Sequence, residues 1–311
     1  MWKLKKKRMR PKYSKARISL VSKLEQALSG KVEGLQRNFY NLVLDYYRSK
    51  LSVSENVIKN TKSNLNIATD LSALEESFFK KQTSKLLVWI ARRMVEVNGV
   101  NRQYFKANSN DYNRNVVKRV ESNMLAAYGI KVGPKKVTIK KGGWLYSLGQ
   151  FKDPYMRVKQ EALNAVRAGI SLDDFRKTIK SAVVDSKTQS IKRHFYTHAN
   201  DTFAEYNRQA SKQYADKLNM KYFMYNGGVI DTTRLFCENR DGKVFTSEEI
   251  DDWHLLINRK DGPQWSGGIY DPYVHCGGFN CRHDLDPISE KLAFRLRPEL
   301  KSTFGKERKK K

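Results

Sequence analysis

All three cysteines of the chain, Cys237, Cys276 and Cys281, fall between residues 231 and 287, together with three of its five histidines. Thiolate and imidazole are the groups that hold zinc, which takes four such ligands in a tetrahedron. The candidate ligands are Cys237, His275, Cys276, Cys281 and His283. Side chains of adjacent residues in extended chain point to opposite faces, so His275 and Cys276 are not expected to share one ion, whereas Cys281 and His283 point the same way. The expected set is Cys237, Cys281, His283 and one of Cys276 or His275. Such an ion would be structural, tying together a loop-rich segment with little core of its own. The competing reading makes the cysteines small buried hydrophobes in glycine-rich turns.

Catalytic readings of the same residues are weaker. His275, Asn280 and His283 loosely resemble a His-Asn-His nuclease, but they lie too close in sequence for a strand-turn-helix unit to separate a base from metal ligands. A nucleophile pair joining Cys237 or Cys276 to His254 or His283 lacks a visible orienting group. There is no phosphate-binding glycine loop and no serine elbow. The acidic pairs Glu248-Glu249 and Asp251-Asp252 could hold magnesium, but they fit better as caps of a helix beginning after Thr246. The chain is therefore not expected to be an enzyme.

The elements that must position these residues follow from hydrophobic period and turn chemistry. Steps of three and four from Leu24 to Tyr46 predict a helix within 18–63, weakened or broken at Gly30 and Gly34. A second helix is expected over 71–97, ended by Asn98-Gly99, and a third over 112–128, stopped by Gly129. The alternation Lys136, Val137, Thr138, Ile139, Lys140 predicts a basic strand or hairpin before the Gly142-Gly143 break. Gly169 should stop one helix and Ser171 cap the next. One long helix over 187–218 then delivers the chain to a short strand at 222–225, with His194 and His198 near its apolar side as core or groove residues. The fold class expected is mainly α with a small α+β C-terminal module: a helical N-terminal domain and a long helix leading into a short-stranded, Cys/His-bearing module.

Charge separates that module from the rest. Residues 231–287 hold 11 acidic and 6 basic residues, net −5, inside a chain of net +28. So basic a protein attracts polyanions whatever its fold, and double-stranded DNA, bound without sequence preference, is the default partner. The expected contacts are Lys5, Lys6, Lys7, Arg8 and Arg10 in a disordered arm over 1–17, Lys135, Lys136, Lys140 and Lys141 in the hairpin or linker over 131–152, and Lys309, Lys310 and Lys311 in a basic tail over 291–311. The longest apolar run, Leu86 to Ile90, is far short of the ~20 residues that cross a bilayer, so no membrane partner is expected. An odd cysteine number without a secretory leader points to synthesis in a reducing cytoplasm.

Two blocks carry a resemblance. The first runs Asp231, Thr232, Thr233, Arg234 to Cys237 and on to Asp241, Gly242, Lys243, Val244; the second closes His275, Cys276 to Cys281, Arg282, His283. In this order, behind a long polar helix, they resemble the C-terminal domain of the phage Mu F-like minor head proteins, the phage head morphogenesis family, over about residues 187–290. Where that family often adds a second Cys or His beside the first cysteine, this chain has Glu238 and Asn239; where it often closes His-Pro-x-Cys-Arg-Cys, this chain places His283 last. The periodicity gives a helical domain over 18–130, and the resemblance implies a head morphogenesis module over 153–290 and structural roles for Asp231, Arg234, Asp241, Gly242 and Arg282. It also implies a minor capsid component of a tailed double-stranded DNA phage, present in the virion in several copies at the head interior or portal vertex. Such a protein acts in head assembly, genome packaging or DNA delivery, with portal, major capsid or scaffolding proteins as partners. The alternatives are a DNA-binding protein unconnected with capsids and a metal-dependent nuclease or toxin on a similar module.

Overall fold

The structure is a computed structural model and describes residues 11–184, 190–199 and 201–301, the side chains of Thr197 and His198 excepted. The expected contacts Lys5 to Arg10 and Lys309 to Lys311 therefore lie outside the described residues, as do the start of the helix expected from 187 and the His198 side chain. Fourteen α-helices are described: α1 Ser14–Lys50, α2 Lys62–Thr69, α3 Ser72–Phe78, α4 Ser84–Asn108, α5 Arg114–Ala127, α6 Trp144–Leu148, α7 Asp153–Ala168, α8 Leu172–Val184, α9 Ile191–Ala199, α10 Thr202–Lys217, α11 Leu235–Glu238, α12 Ser247–Asp251, α13 Pro272–His275 and α14 Glu290–Leu296. A π-helical turn, Phe79–Thr83, joins α3 to α4. The strands are β1 Val53–Ser54, β2 Val57–Ile58, β3 Ile130–Val132, β4 Val137–Ile139, β5 Tyr222–Asn226, β6 Val244–Thr246 and β7 Asp284–Ile288. The fold is mainly α with small antiparallel sheets, the class expected from the periodicity.

The chain forms two compact units, each discontinuous in sequence: one takes 1–24, 94–125 and 201–311, the other 25–93 and 126–200. The first is built on a three-stranded antiparallel sheet in the order β6-β5-β7. Side chains alternate along central β5. Tyr222 and Met224 join Val244, Ile288, Ala293 and Leu300 in one apolar cluster, while Phe223 and Tyr225 pack on Tyr273 and Trp253 respectively. The second unit packs α7 against α2 and α8, around an aromatic core in which Phe39 meets Phe78 at 5.2 Å and Tyr155 at 4.9 Å between ring centres.

Several local expectations hold and several are corrected. The hairpin forms as β3 and β4, with Ile130 opposite Ile139, and Gly129 ends α5 at a φ of 73°. Gly169 closes α7 in the left-handed region, and the Ser171 hydroxyl accepts the Asp174 N–H at the start of α8. Thr246 and Glu249 form a reciprocal capping box on α12, so this part of the acidic run caps a helix. By contrast, α1 runs unbroken through Gly30 and Gly34. Two glycines cost a helix about 1 kcal/mol each, less than the buried stripe of Leu24, Leu28, Val32, Leu35, Phe39 and Val43 contributes.

That helix stops at Lys50, because Glu55 and Asn56, at φ of 49° and 64°, make the two-residue turn of the β1-β2 hairpin. Asn98-Gly99 does not end α4, since the Asn98 side chain is buried and accepts the Tyr206 hydroxyl at 2.9 Å. Residues 14–17, expected in the disordered arm, are ordered: helix begins at Ser14, and Ser14 and Arg17 are buried on Asp286. The single helix over 187–218 is two, α9 and α10, and Asp201 between them has a φ of 65°. Its carboxylate receives the Arg282 guanidinium at 2.8 Å, a long-range contact that sequence periodicity does not register. Among the described residues no helix is long and apolar enough to cross a membrane.

Candidate metal centre

Three of the five candidate ligands meet. The ligand atoms of Cys237, Cys281 and His283 all lie within 4.8 Å of one another. Cys237 arrives on α11, a single turn begun at Arg234; Cys281 closes the loop after α13; His283 immediately precedes β7. The two sulfurs are 3.8 Å apart, and Cys281 Sγ is 3.8 Å from His283 Nδ1. Zinc with bonds of about 2.3 Å to sulfur and about 2.05 Å to nitrogen in a tetrahedron requires an S···S edge of about 3.8 Å and an S···N edge of about 3.6 Å. Two of the three edges thus match one tetrahedral ion, and the third, from Cys237 to His283, lies within 4.8 Å.

The surroundings suit anionic sulfur and an oriented imidazole. Cys281 Sγ accepts the Gly277 N–H at 3.3 Å, and the Tyr225 hydroxyl donates to Cys237 Sγ at 3.2 Å while lying 3.7 Å from Cys281 Sγ. The hydrogen bond with Cys237 holds the Cys281 thiol well below its ordinary range, and His283 and the Arg208 guanidinium act in the same direction against burial. The same thiol–thiol hydrogen bond, with burial, pushes Cys237 up, so the two sulfurs hold one proton between them. His283 lies flat against Tyr225, ring centres 5.0 Å apart at 14°. Its Nε2 is buried without a hydrogen bond and sits 4.0 Å from the Asp241 carboxylate. Nδ1 faces the sulfurs, and Asp241 stands on the Nε2 side, where metal-bound histidines keep a carboxylate partner, but at 4.0 Å it is beyond hydrogen-bond distance.

Two glycines make room for this. A Cβ on Gly277 would stand 2.3 Å from Cys237 Sγ, and one on Gly227 would stand 2.5 Å from the His283 ring. The Gly227 and Gly228 N–H groups both donate to Asp241 Oδ1, at 3.2 and 3.0 Å, which anchors the carboxylate facing His283. Gly242, at a φ of 78°, returns the chain so that its N–H meets the Tyr225 carbonyl at 2.7 Å.

The remaining candidates sit elsewhere. His275 stacks on Trp265 at 3.9 Å and accepts the Asp271 N–H at Nδ1, and burial lowers its pKa. Cys276 is fully buried, at a φ of 49°, and burial pushes its thiol well up. Neither joins the trio, so the fourth ligand expected from one of them is not supplied by this geometry. Arg234 spans the two sequence blocks by donating to the carbonyls of Gly277, at 3.5 Å, and Phe279. Asp231 is exposed in the turn before α11. Arg282 faces away from the trio to Asp201. Lys135, Lys136, Lys140 and Lys141 are exposed in and beside the β3-β4 hairpin.

Three contributors went unseen in the sequence. Tyr225 reads there only as a strand residue. Arg208 lies beside the apolar stripe of α10 and is 4 % exposed; it donates to Asp284 at 3.1 Å, to the Val274 carbonyl at 3.0 Å and to the Cys281 carbonyl, holding the ligand loop to the helix. Asp284 lies in a short run that the sequence reading does not single out. The available signal was an arginine inside an apolar flank together with Asp284-x-Asp286 on a strand buried along its length.

No family model, no curated protein and no solved structure matches this chain. The trio is brought together by this chain's own fold, and its chemistry has to be judged from the donor set. Two thiols and an imidazole, two of their edges matching a tetrahedral ion and a carboxylate standing nearby, fit zinc better than a hard cation, which takes oxygen ligands.

Proposed function

We propose that the chain is a minor head protein of a tailed double-stranded DNA phage, and that its C-terminal module is closed by one structural zinc ion on Cys237, Cys281 and His283. The observation that carries this reading is that the two sequence blocks behind the head-protein resemblance converge on a single trio of ligands. Zinc bound there would supply cross-linking: it would join the turn at α11 to the loop before β7, two loop segments with little apolar core. Three protein ligands with a fourth position open is also the pattern of catalytic zinc. Burial favours the structural role, because Cys237, Cys281 and His283 are only 2 %, 2 % and 5 % exposed, which leaves a substrate no approach through these side chains.

The basic remainder of the chain is read as contacting packaged or entering DNA through phosphates alone. The exposed hairpin lysines support this, and affinity should fall steeply with salt as counterions are released. Portal, major capsid or scaffolding proteins are the proposed assembly partners. The test is complementation of a phage lacking this gene. Cys281→Ala protein should fail to enter particles. His254→Ala should enter and function, since His254 is exposed and bonds only locally, to the Asp251 carbonyl. Normal incorporation of His254→Ala with loss of infectivity would instead reveal a chemical step.

A further inference from the structure

The second unit holds a pocket of about 650 Å³ that the metal centre does not explain. That volume lies in the range of small-molecule sites. Its floor is the π-helical turn Phe79–Thr83, a geometry that is uncommon in proteins and frequent at functional sites. Thr83 ends that turn, borders the pocket and is fully buried, and its hydroxyl has no hydrogen-bond partner. Across from it the backbone at Gly149 comes so near that a Cβ would meet Leu87 at 2.7 Å and Thr83 at 3.0 Å. The site is therefore shaped by close backbone packing.

Aromatic rings form the walls. Phe79 and Tyr146 meet edge to face at 5.2 Å, and Phe151 and Tyr155 lie parallel at 6.0 Å. Four lysines stand in the lining. Lys80 pairs with Glu76, and Lys159 with Glu75 at 3.3 Å. Lys141 and Lys152 are exposed and form no ion pair among the described residues. Flat aromatic surface beside two uncompensated ammonium groups calls for a ligand with a planar ring and a negative charge.

We propose that this pocket binds a nucleotide, its base against Phe79 and Tyr146 and its phosphate at Lys141 and Lys152. The nucleotide can be a free mononucleotide or one unit of an unpaired DNA strand, which present the same chemistry. This inference stands apart from the metal reading, because none of its residues belongs to that unit.

The test is calorimetric titration of the full chain with deoxyadenosine monophosphate, deoxyadenosine and inorganic phosphate. Saturable binding of the nucleotide is expected, with the nucleoside and the bare phosphate each weaker by about tenfold or more. Tyr146→Ala and the double variant Lys141→Gln/Lys152→Gln should each weaken nucleotide binding by about tenfold or more, while Lys62→Gln/Lys180→Gln, at exposed lysines outside the pocket lining, stays within about twofold. Tyr146→Phe keeps the ring and the packing and should bind as the parent does, which guards against a folding defect in Tyr146→Ala. Displacement of the nucleotide by a short oligothymidylate but not by a duplex identifies a strand as the source; displacement by neither identifies the free nucleotide. Absence of saturable nucleotide binding, phosphate binding as tightly as nucleotide, or equal losses in the Lys62→Gln/Lys180→Gln variant would overturn the proposal.

Discussion

Replacing Arg17 with methionine should destabilise the protein by about 3–5 kcal/mol near neutral pH, the cost of stranding a buried charge. Arg17 Nη1 lies 2.8 Å from Asp286 Oδ1, and both side chains are 1 % exposed. Its guanidinium sits 4.3 Å over the Tyr104 ring and also reaches Ser211 and, at 3.4 Å, Asn207. Asp286 is bonded besides by Asn226 at 2.8 Å and by Ser14. Burial raises the Asp286 pKa and Arg17 is the main influence lowering it, so the variant's carboxyl should be raised further. A carboxyl raised in the folded state binds its proton more tightly there than in the unfolded chain, and the folded variant regains stability as pH falls. The loss measured by urea unfolding should accordingly be smaller at about pH 5 than at about pH 8. Adding Asp286→Asn to Arg17→Met should recover part of the loss, because two neutral groups no longer carry the unpaired charge. A single-variant loss under about 1 kcal/mol, or simple additivity of the two, would refute the reasoning.

Burial raises Glu205 to about 7, with Arg208 opposing and Asp201 adding to the shift. The stability of its protonated form is complete below the unfolded value of 4.5 and is lost as pH rises through about 7. Glu205→Gln should therefore gain on the parent across that window, by on the order of 2–3 kcal/mol at about pH 8, and unfolding curves showing a pH-independent difference would contradict this. Gly277→Ala puts a methyl group 2.3 Å from Cys237 Sγ and 3.2 Å from Cys281 Sγ; it should cost about 1–3 kcal/mol and lower bound zinc, both read on one purified preparation by thermal melting and elemental analysis.

Much of the helical architecture was legible because it rests on local period. Buried stripes on α1, α4, α5 and α10 follow apolar spacing, and the stops at Gly129 and Gly169 follow from residues that tolerate the left-handed region. The misplaced boundaries are those settled by distant partners: Tyr206 reaching Asn98, Arg282 reaching Asp201, and Asp286 drawing Ser14 and Arg17 into order. At the site, alternation joined Cys281 to His283, which do meet. It could not show that neither His275 nor Cys276 joins the trio, because α13 and the left-handed Cys276 turn the chain before extended geometry resumes. Nor could it show that Tyr225 donates to Cys237 while Gly277, far away in sequence, donates to Cys281.

The central claim is one zinc ion held by Cys237, Cys281 and His283, and metal content measures it most directly. Protein stripped of metal, refolded with zinc and freed of excess should contain about one zinc per chain, and chelation should lower its melting temperature. Cys281→Ala should bind none. Less than about 0.2 zinc per chain, with melting unchanged by chelator, would contradict the account and leave three buried thiols without an ion.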